Sequence, residues 1–226
     1  MQKIRAVLFD LDNTLVDFVK MKEESCRAAT KAMINTGLKM NEEEAYAMIM
    51  ETYYKVGIES DAAFTTFLKE TGQFDYKILA AAINAYLKTK TDFITPYPNV
   101  EYALKELQNN GLILGVVTDA PKTKAYQRLL HMGIDSYFKF VVGYEDTNKM
   151  KHTGLPFALA LNLLRDYIPD IKNSEIVMVG DSIKRDIEPA KKLGLKTALA
   201  KYGQATPESG KADFEIQDAK DLEHFL

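Results

Sequence analysis

Two pairs of aspartates in this sequence have a spacing that suits the binding of a metal ion. Asp10 and Asp12 directly follow one short apolar segment, and Asp181 and Asp186 follow another. Carboxylates that lie close together repel one another, so they need a cation or a proton between them. Oxygen ligands of this kind suit Mg²⁺, which is held by a few carboxylates together with water and substrate phosphate. One aspartate pair alone would fit the capping of a turn equally well, but four acids after two segments favour a Mg²⁺ site.

The apolar segments that precede these acids are predicted to be strands of one sheet. Ile4–Phe9, Leu112–Val117 and Ile176–Val179 are short, apolar runs, which is typical of buried strands. In open α/β sheets, ligands bind beyond the carboxyl ends of the strands. Thr118 and Asp119 directly follow the second segment. We therefore expect these two residues to join the four acids at one edge of the sheet.

From about residue 96 onward, strand-like and helical patterns alternate. The predicted helices are Val100–Gln108, Lys122–His131, Pro156–Tyr167 and Asp186–Leu193, and the further predicted strands are Phe138–Val142 and Thr197–Ala200. Alternation of this kind predicts a parallel sheet covered by helices on both faces. The expected fold class is therefore α/β, with a doubly wound, Rossmann-like parallel sheet as the core.

Between residues 16 and 95 the strand-like runs vanish, and helical periodicity predicts a small bundle. The predicted helices are Met21–Ile34, Asn41–Val56, Asp61–Glu70 and Tyr76–Leu87. The segment Thr95-Pro96-Tyr97-Pro98 marks the return to the core, because Pro at alternate positions cannot continue a helix. We therefore predict two domains: a core of residues 1–15 and 96–226, and an all-helical domain of residues 16–95 inserted after the first strand.

Composition limits the partners and the location that the sequence suggests. The 226 residues carry 29 Lys and Arg against 32 Asp and Glu, with a formal net charge of −3 and no basic stripe, so nucleic acid is not an expected partner. No segment approaches the about 20 apolar residues that span a bilayer, so no membrane association is expected. A single cysteine, Cys26, excludes an internal disulfide and fits the reducing cytoplasm. We expect a cytoplasmic monomer or homodimer.

Four short motifs in the chain resemble those of the haloacid dehalogenase-like superfamily. Phe9-Asp10-Leu11-Asp12-Asn13-Thr14-Leu15 is similar to the first motif, Asp-x-Asp-x-Thr, and Val117-Thr118-Asp119 to the second. Gly180-Asp181 with Asp186 matches the fourth. Lys151 to Phe157 has the spacing of the third, although His152 stands where the family usually has Pro, which leaves Lys149 as an alternative. Pro189 also departs from the family, which commonly has Gly there.

The resemblance implies a role for each of these residues in phosphoryl transfer. Asp10 would be a covalent nucleophile, and Asp12 would protonate the leaving oxygen and then activate water. Thr118, Asp119 and Lys151 would bind the phosphoryl group. The metal ligands implied are Asp10, the backbone carbonyl of Asp12, Asp181 directly, and Asp186 directly or through water. Asp12 argues for a phosphoester substrate, because dehalogenase members of the superfamily lack an acid at its position.

The function expected from the resemblance is that of a Mg²⁺-dependent phosphatase of the phosphoglycolate phosphatase-like branch, in which the helical insertion forms a cap domain. It would hydrolyse small-molecule phosphate monoesters through an aspartyl-phosphate. A sugar-phosphate mutase on the same core is an alternative, since it differs in how it excludes water. A phosphate-accepting signalling module is another, but such modules have no helical insertion and no acid–base partner that would shorten the life of the phospho-aspartate.

Overall fold

The computed structural model describes residues 3–225, and a parallel sheet lies at its centre. The strands in this range are β1 Ala6–Phe9, β2 Ile113–Val117, β3 Phe140–Val142, β4 Ile176–Gly180, β5 Lys196–Ala200 and β6 Phe214–Ile216. Their spatial order is β3-β2-β1-β4-β5-β6, and each neighbouring pair runs parallel. The chain winds outward from β1 in one direction and from β4 in the other. The predicted α/β class with a doubly wound sheet is therefore confirmed.

The register of β1 with its neighbours brings three strand ends to one edge. Phe9, the last residue of β1, pairs with the fourth residue of β2 and with the fourth residue of β4. Asp10, Thr118 and Asp181 follow these strands, so they all leave the sheet at the same edge. The boundary between β1 and β4 is also the point where the winding direction changes, which is where sheets of this kind bind ligands.

Two strands differ from the sequence prediction. β3 begins at Phe140 rather than Phe138, because Asp135–Tyr137 forms a turn of 3₁₀ helix whose carbonyl at Asp135 accepts from the Phe138 amide. The prediction missed β6 entirely. That strand has only three residues, and Ile216 is its one buried side chain, so it lacks the apolar run by which a strand is recognised.

The described residues fall into two compact units, one made of residues 3–17 with 95–225 and the other of Phe18–Ile94. The second unit contains the helices α1 Phe18–Thr36, α2 Glu42–Val56, α3 Ala63–Glu70 and α4 Tyr76–Phe93. The Asn41 side chain caps α2 by accepting from the Glu43 amide at 3.0 Å, which confirms the helix start predicted there. α4 extends beyond the predicted Leu87, since its last turns are too polar to show apolar periodicity.

A buried apolar cluster holds the helices of the second unit together. Met33, Ile49, Phe67 and Leu68 lie in this cluster, and so does Cys26. Burial raises the pKa of the Cys26 thiol to about 11, which keeps the sulfur protonated and unreactive at neutral pH. Cys26 is therefore a packed side chain of this cluster rather than a nucleophile.

The first unit adds the helices α5 Val100–Asn109, α6 Lys122–Met132, α7 Tyr144–Thr147, α8 Leu155–Tyr167 and α9 Glu188–Lys192. One face of the sheet packs on α8, where Leu8 and Met178 share a buried cluster with Phe157. Burial of a side chain of this size contributes about 1.5–3 kcal/mol. This packing fixes β1 and β4, whose ends carry the acids. None of the helices in residues 3–225 has the length and apolar character needed to cross a bilayer.

Candidate active site

The chain turns sharply directly after β1. The Asp10 amide donates to the Val179 carbonyl at 2.9 Å, so the sheet ladder continues up to the acid. Three residues later, Asn13 has φ of 62°, and its amide donates to the Val16 carbonyl at 2.7 Å. Asn tolerates this left-handed conformation better than most residues. The turn keeps Asp10 buried and leaves the Asp12 side chain 21% exposed.

A distant loop holds this turn in place, and sequence reasoning missed it. The Tyr202 hydroxyl donates to the Thr14 carbonyl at 3.0 Å. The neighbouring Gly203 lies directly against the Asn13 carbonyl, where a Cβ on Gly203 would overlap the oxygen. The close approach of two backbones requires glycine at this position. The signal in the sequence was the Tyr202-Gly203 pair, one residue after the predicted strand Thr197–Ala200. This pair alone does not reveal which turn it contacts.

The second acid pair follows β4 and is held by an irregular helix. The prediction of a regular helix from Asp186 to Leu193 is wrong at its start, because Ile183–Ile187 forms a π-helical turn before α9 begins at Glu188. The Asp186 carboxylate accepts from the Ser182 amide at 3.0 Å, which folds the acid back over the end of β4. Helical turns of this kind are rare and frequently occur at functional sites.

Gly180 is required by the position of the Asp186 side chain, because a Cβ on Gly180 would overlap that carboxylate. We expect Gly180→Ala to displace Asp186 and to weaken the binding of a divalent metal ion by about 10-fold or more. A factor of 10 corresponds to about 1.4 kcal/mol, which is within the usual cost of overpacking. Titration calorimetry with MgCl₂ measures this. Gly115→Ala is the matched control, since its Cβ would meet the Phe140 ring instead. An unchanged Mg²⁺ affinity in Gly180→Ala would show that this contact does not position the ligand.

Asp10, Asp181 and Asp186 converge, and each is buried. One carboxylate oxygen from each lies within 4.8 Å of the others. Burial raises the pKa of the Asp181 carboxyl to about 8, and the charges of Asp10 and Asp186 add to this rise. Burial also raises the pKa of Asp186 to about 6, although the Lys151 ammonium acts in the opposite direction. A divalent cation among the three oxygens would favour their ionised forms, so these residues fit a metal ion.

Lys151 lies among these acids and is 1% exposed at its side chain. Its ammonium forms an ion pair with Asp10 and another with Asp186, the latter at 2.6 Å. Burial alone would lower the pKa of Lys151, but the charges of Asp10 and Asp186 outweigh it, so the pKa is raised and the group stays protonated. The Lys151 ammonium is therefore a fixed positive charge among the acids. The alternative third-motif residue, Lys149, is exposed.

Thr118 and Asp119 hold the other side of the site. The Thr118 amide donates to the Val142 carbonyl at 2.9 Å, and its hydroxyl oxygen accepts from the Ala120 amide at 3.1 Å. A hydroxyl that accepts through its oxygen still has a proton to donate. The Asp119 carboxylate accepts from the Lys151 backbone amide at 2.7 Å. The Asp119 side chain therefore fixes the loop that carries Lys151. It cannot donate to a phosphate, because a carboxylate only accepts hydrogen bonds.

The Asp12 carboxylate is not part of the converging acid group, and a buried arginine contacts it. Arg128 Nη1 donates to Asp12 Oδ2 at 3.1 Å. A second arginine, Arg185, lies 3.5 Å from Asp181 and is more exposed. Sequence reasoning missed both arginines. The available signal for Arg128 was its place on the inward face of a helix, next to the buried Leu129.

Comparisons with known proteins agree with this geometry. A family model described as haloacid dehalogenase-like hydrolase matches residues 7–200. A glyceraldehyde 3-phosphate phosphatase from Methanopyrus kandleri is 34% identical over 97% of this chain and 95% of its own length. A phosphoglycolate phosphatase from Aquifex aeolicus is 29% identical, also over 97% of this chain and 95% of its own length. The crystal structure of a phosphatase from Thermococcus onnurineus superposes with a TM-score of 0.68 at 23% identity, covering 98% of this chain and 97% of that one.

Proposed function

This chain belongs to the haloacid dehalogenase-like hydrolase family, and we propose that it is a Mg²⁺-dependent phosphatase that hydrolyses small phosphate monoesters through a covalent intermediate on Asp10. The observation that carries the proposal is the arrangement of Asp10, which lies at the end of β1 within a buried group of two further acids and the Lys151 ammonium. Such a site can bind an anionic phosphate although its nucleophile is itself a carboxylate.

The first half of the reaction transfers the phosphoryl group to the protein. One Asp10 carboxylate oxygen forms a bond to phosphorus while the bond from phosphorus to the ester oxygen breaks. Asp12 gives its proton to the leaving oxygen, so the alcohol departs neutral. The partial exposure of the Asp12 side chain, 21%, leaves it accessible to a leaving group.

The second half returns Asp10 to its starting state. Asp12, now ionised, takes a proton from water, and the resulting hydroxide attacks the phosphorus of the aspartyl-phosphate. The bond from Asp10 to phosphorus breaks, and inorganic phosphate leaves. Asp12 holds the proton that it needs for the next cycle.

The transferring phosphoryl oxygens require donors, since positioning and electrostatics supply most of the rate in phosphoryl transfer. The Thr118 hydroxyl and the Lys151 ammonium supply donors from side chains. Asp119 would contribute through its backbone amide, because its carboxylate already accepts from Lys151. Lys151 would lose part of its contact with Asp10 when it donates to the phosphate.

Mg²⁺ would be held by carboxylate oxygens of Asp10 and Asp181, by Asp186 directly or through water, and by the Asp12 carbonyl. When bound, it neutralises negative charge so that a carboxylate and a phosphate can approach each other. We expect excess EDTA to abolish phosphate release and added MgCl₂ to restore it, because Lys151 and the more exposed Arg185 offer two positive charges to three acids. Full activity in EDTA would contradict the metal assignment.

The affinity for Mg²⁺ should depend on pH in a defined direction. A protonated carboxyl cannot bind the ion, and the pKa of Asp181 is raised to about 8 without it. Deprotonation as the pH rises should therefore strengthen binding. The half-saturating Mg²⁺ concentration should decrease as the pH is raised from about 6 to about 8. A Mg²⁺ titration of phosphate release across this range measures the effect. A half-saturating concentration that stays constant or rises would contradict it.

The substrate proposal follows from the relatives. Glyceraldehyde 3-phosphate and phosphoglycolate are the substrates in the names of the similar phosphatases, so both belong in the first panel of small phosphate monoesters. Phosphate release from at least one ester, measured with and without Mg²⁺, tests the proposed function. Absence of release across the whole panel would overturn the proposed function.

We further propose that the helical unit Phe18–Ile94 is the predicted cap domain, since its chain leaves and re-enters the first unit next to the bridge between Val16 and Pro96.

A further inference from the structure

Arg128 lies at a position where a charged side chain is costly. It is on α6, between the buried residues Ala125 and Leu129, and its own side chain is 1% exposed. A charge removed from water must regain its lost solvation from partners. An apolar residue would fill the same inward position of the helix without that cost, so the choice of arginine calls for a reason other than packing.

The Asp12 carboxylate supplies that reason. Arg128 Nη1 lies 3.1 Å from Asp12 Oδ2, and 116 positions separate the two residues in the chain. A hydrogen bond from a guanidinium to a carboxylate is charge-assisted and about twice as strong as a neutral one, so it restrains the rotation of the Asp12 side chain. Asp12 has its backbone in the turn after β1, whereas Arg128 comes from the helix after β2. The contact therefore ties the acid–base carboxylate to the same strand–helix unit that carries Thr118.

We propose that Arg128 is a positioning residue for Asp12: it holds Oδ2 of the Asp12 carboxyl group, so that Oδ1 carries the proton that passes to the leaving oxygen. This inference rests on the proposed function, in which Asp12 is the acid–base. Arg128 acts through the Asp12 carboxyl group, which its Nη1 contacts at 3.1 Å. Misplacement of a catalytic group by about 1 Å can lower the rate by about 10²-fold, so the expected effect of losing Arg128 is large enough to measure.

The test compares two substrates that differ in their need for an acid. An alkyl phosphate has a poor leaving group and needs protonation, whereas p-nitrophenyl phosphate has a good one and needs little. kcat/KM reports the step in which the ester bond breaks. We expect Arg128→Gln to lower kcat/KM for the alkyl phosphate by about 10–100-fold and for p-nitrophenyl phosphate by about threefold or less. Arg128→Lys keeps the charge, and its kcat/KM for the alkyl phosphate should lie between the values of the wild type and of Arg128→Gln.

A double variant separates positioning from a structural role. If Arg128 acts only through Asp12, removing it should matter little once Asp12 is gone. We expect kcat/KM for the alkyl phosphate in Asp12→Ala/Arg128→Gln to be at most about twofold below that of Asp12→Ala alone. Lys122→Gln is the matched control on the same helix, since Lys122 pairs with Asp146 at 2.8 Å and its side chain is 38% exposed. It should leave the ratio of the two kcat/KM values unchanged.

Two results would overturn the proposal and assign Arg128 to stability. One is an equal fall in kcat/KM for both esters in Arg128→Gln. The other is a fall in the double variant that equals the product of the falls in the two single variants. If Arg128→Gln does not fold, Arg128→Lys decides, because equal losses on both esters there would overturn it equally. Failure of the proposed function gives a different result: the wild type would release no phosphate, or Asp12→Ala would keep the wild-type ratio of the two esters. With the proposed function intact, Asp12→Ala alone changes that ratio.

Discussion

Replacement of Asp10 by Asn should lower phosphate release from any monoester by about 10⁴-fold or more, the scale seen when a covalent nucleophile is removed. The amide lacks the anionic oxygen that forms the bond to phosphorus. The fold should persist, because Asn has nearly the shape of Asp and Lys151 keeps its ion pair with Asp186 at 2.6 Å. Phosphate release and thermal unfolding, measured on the same preparation, check both expectations.

Asp170→Asn is the matched control for this change. Asp170 is an exposed carboxylate that pairs with Arg5 at 2.9 Å, and exposed pairs of this kind contribute little to stability. The control should keep wild-type activity. Phosphate release near the wild-type rate from Asp10→Asn, in protein whose mass proves that the amide is intact, would exclude Asp10 as the nucleophile.

Replacement of Asp12 by Ala should lower turnover of an alkyl phosphate by about 10²–10⁴-fold, the usual value of general acid–base assistance. Good leaving groups should lose less in the first step, because their oxygen leaves without a proton. Mg²⁺ binding should be retained, since the proposed ligand from this residue is the backbone carbonyl. Steady-state kinetics on the two kinds of ester and calorimetry with MgCl₂ measure the two outcomes.

Asp12→Asn is the control that separates chemistry from stability. Its amide oxygen can still accept from Arg128, which donates to this side chain at 3.1 Å, so the Asn variant should be more stable than the Ala variant while losing the same acid–base function. Cleavage of an alkyl phosphate at the wild-type rate by Asp12→Ala would assign the acid–base role to another group.

Local sequence patterns predicted the features that depend on neighbouring residues. Apolar runs identified β1, β2 and β4, because a strand buried on both faces must be apolar along its length. Asp10, Thr118 and Asp181 follow those runs and leave the sheet at one edge, since parallel strands in register end together. Asn41 was recognised as a helix start because a side-chain cap acts within one turn.

The missed features depend on residues far apart in the chain. Nothing near Gly203 reveals that its Cα lies against the Asn13 carbonyl, and nothing near Arg128 points to Asp12. The π-helical turn at Ile183–Ile187 was missed for a related reason. Its shape follows from the Asp186 side chain folding back on the Ser182 amide, whereas periodicity alone predicts only a regular helix.

The same limit applied to Lys151. Spacing could identify it as a candidate beside Lys149, but the ion pairs with Asp10 and Asp186 join segments that only the sheet brings together. A lone lysine in sequence is most often a solvated surface charge. Its burial among acids became visible only once the ends of β1 and β4 were placed side by side.

The most direct test of the covalent mechanism is to locate the phosphoryl group on the protein. Asp12→Ala protein is treated with acetyl phosphate and Mg²⁺, digested, and mapped by mass spectrometry. Slow hydrolysis in this variant should let the intermediate accumulate, with one phosphoryl group on Asp10 and none in the double variant Asp10→Asn/Asp12→Ala. A phosphoryl group on any other residue, or equal labelling of the double variant, would contradict the central claim that Asp10 is the nucleophile.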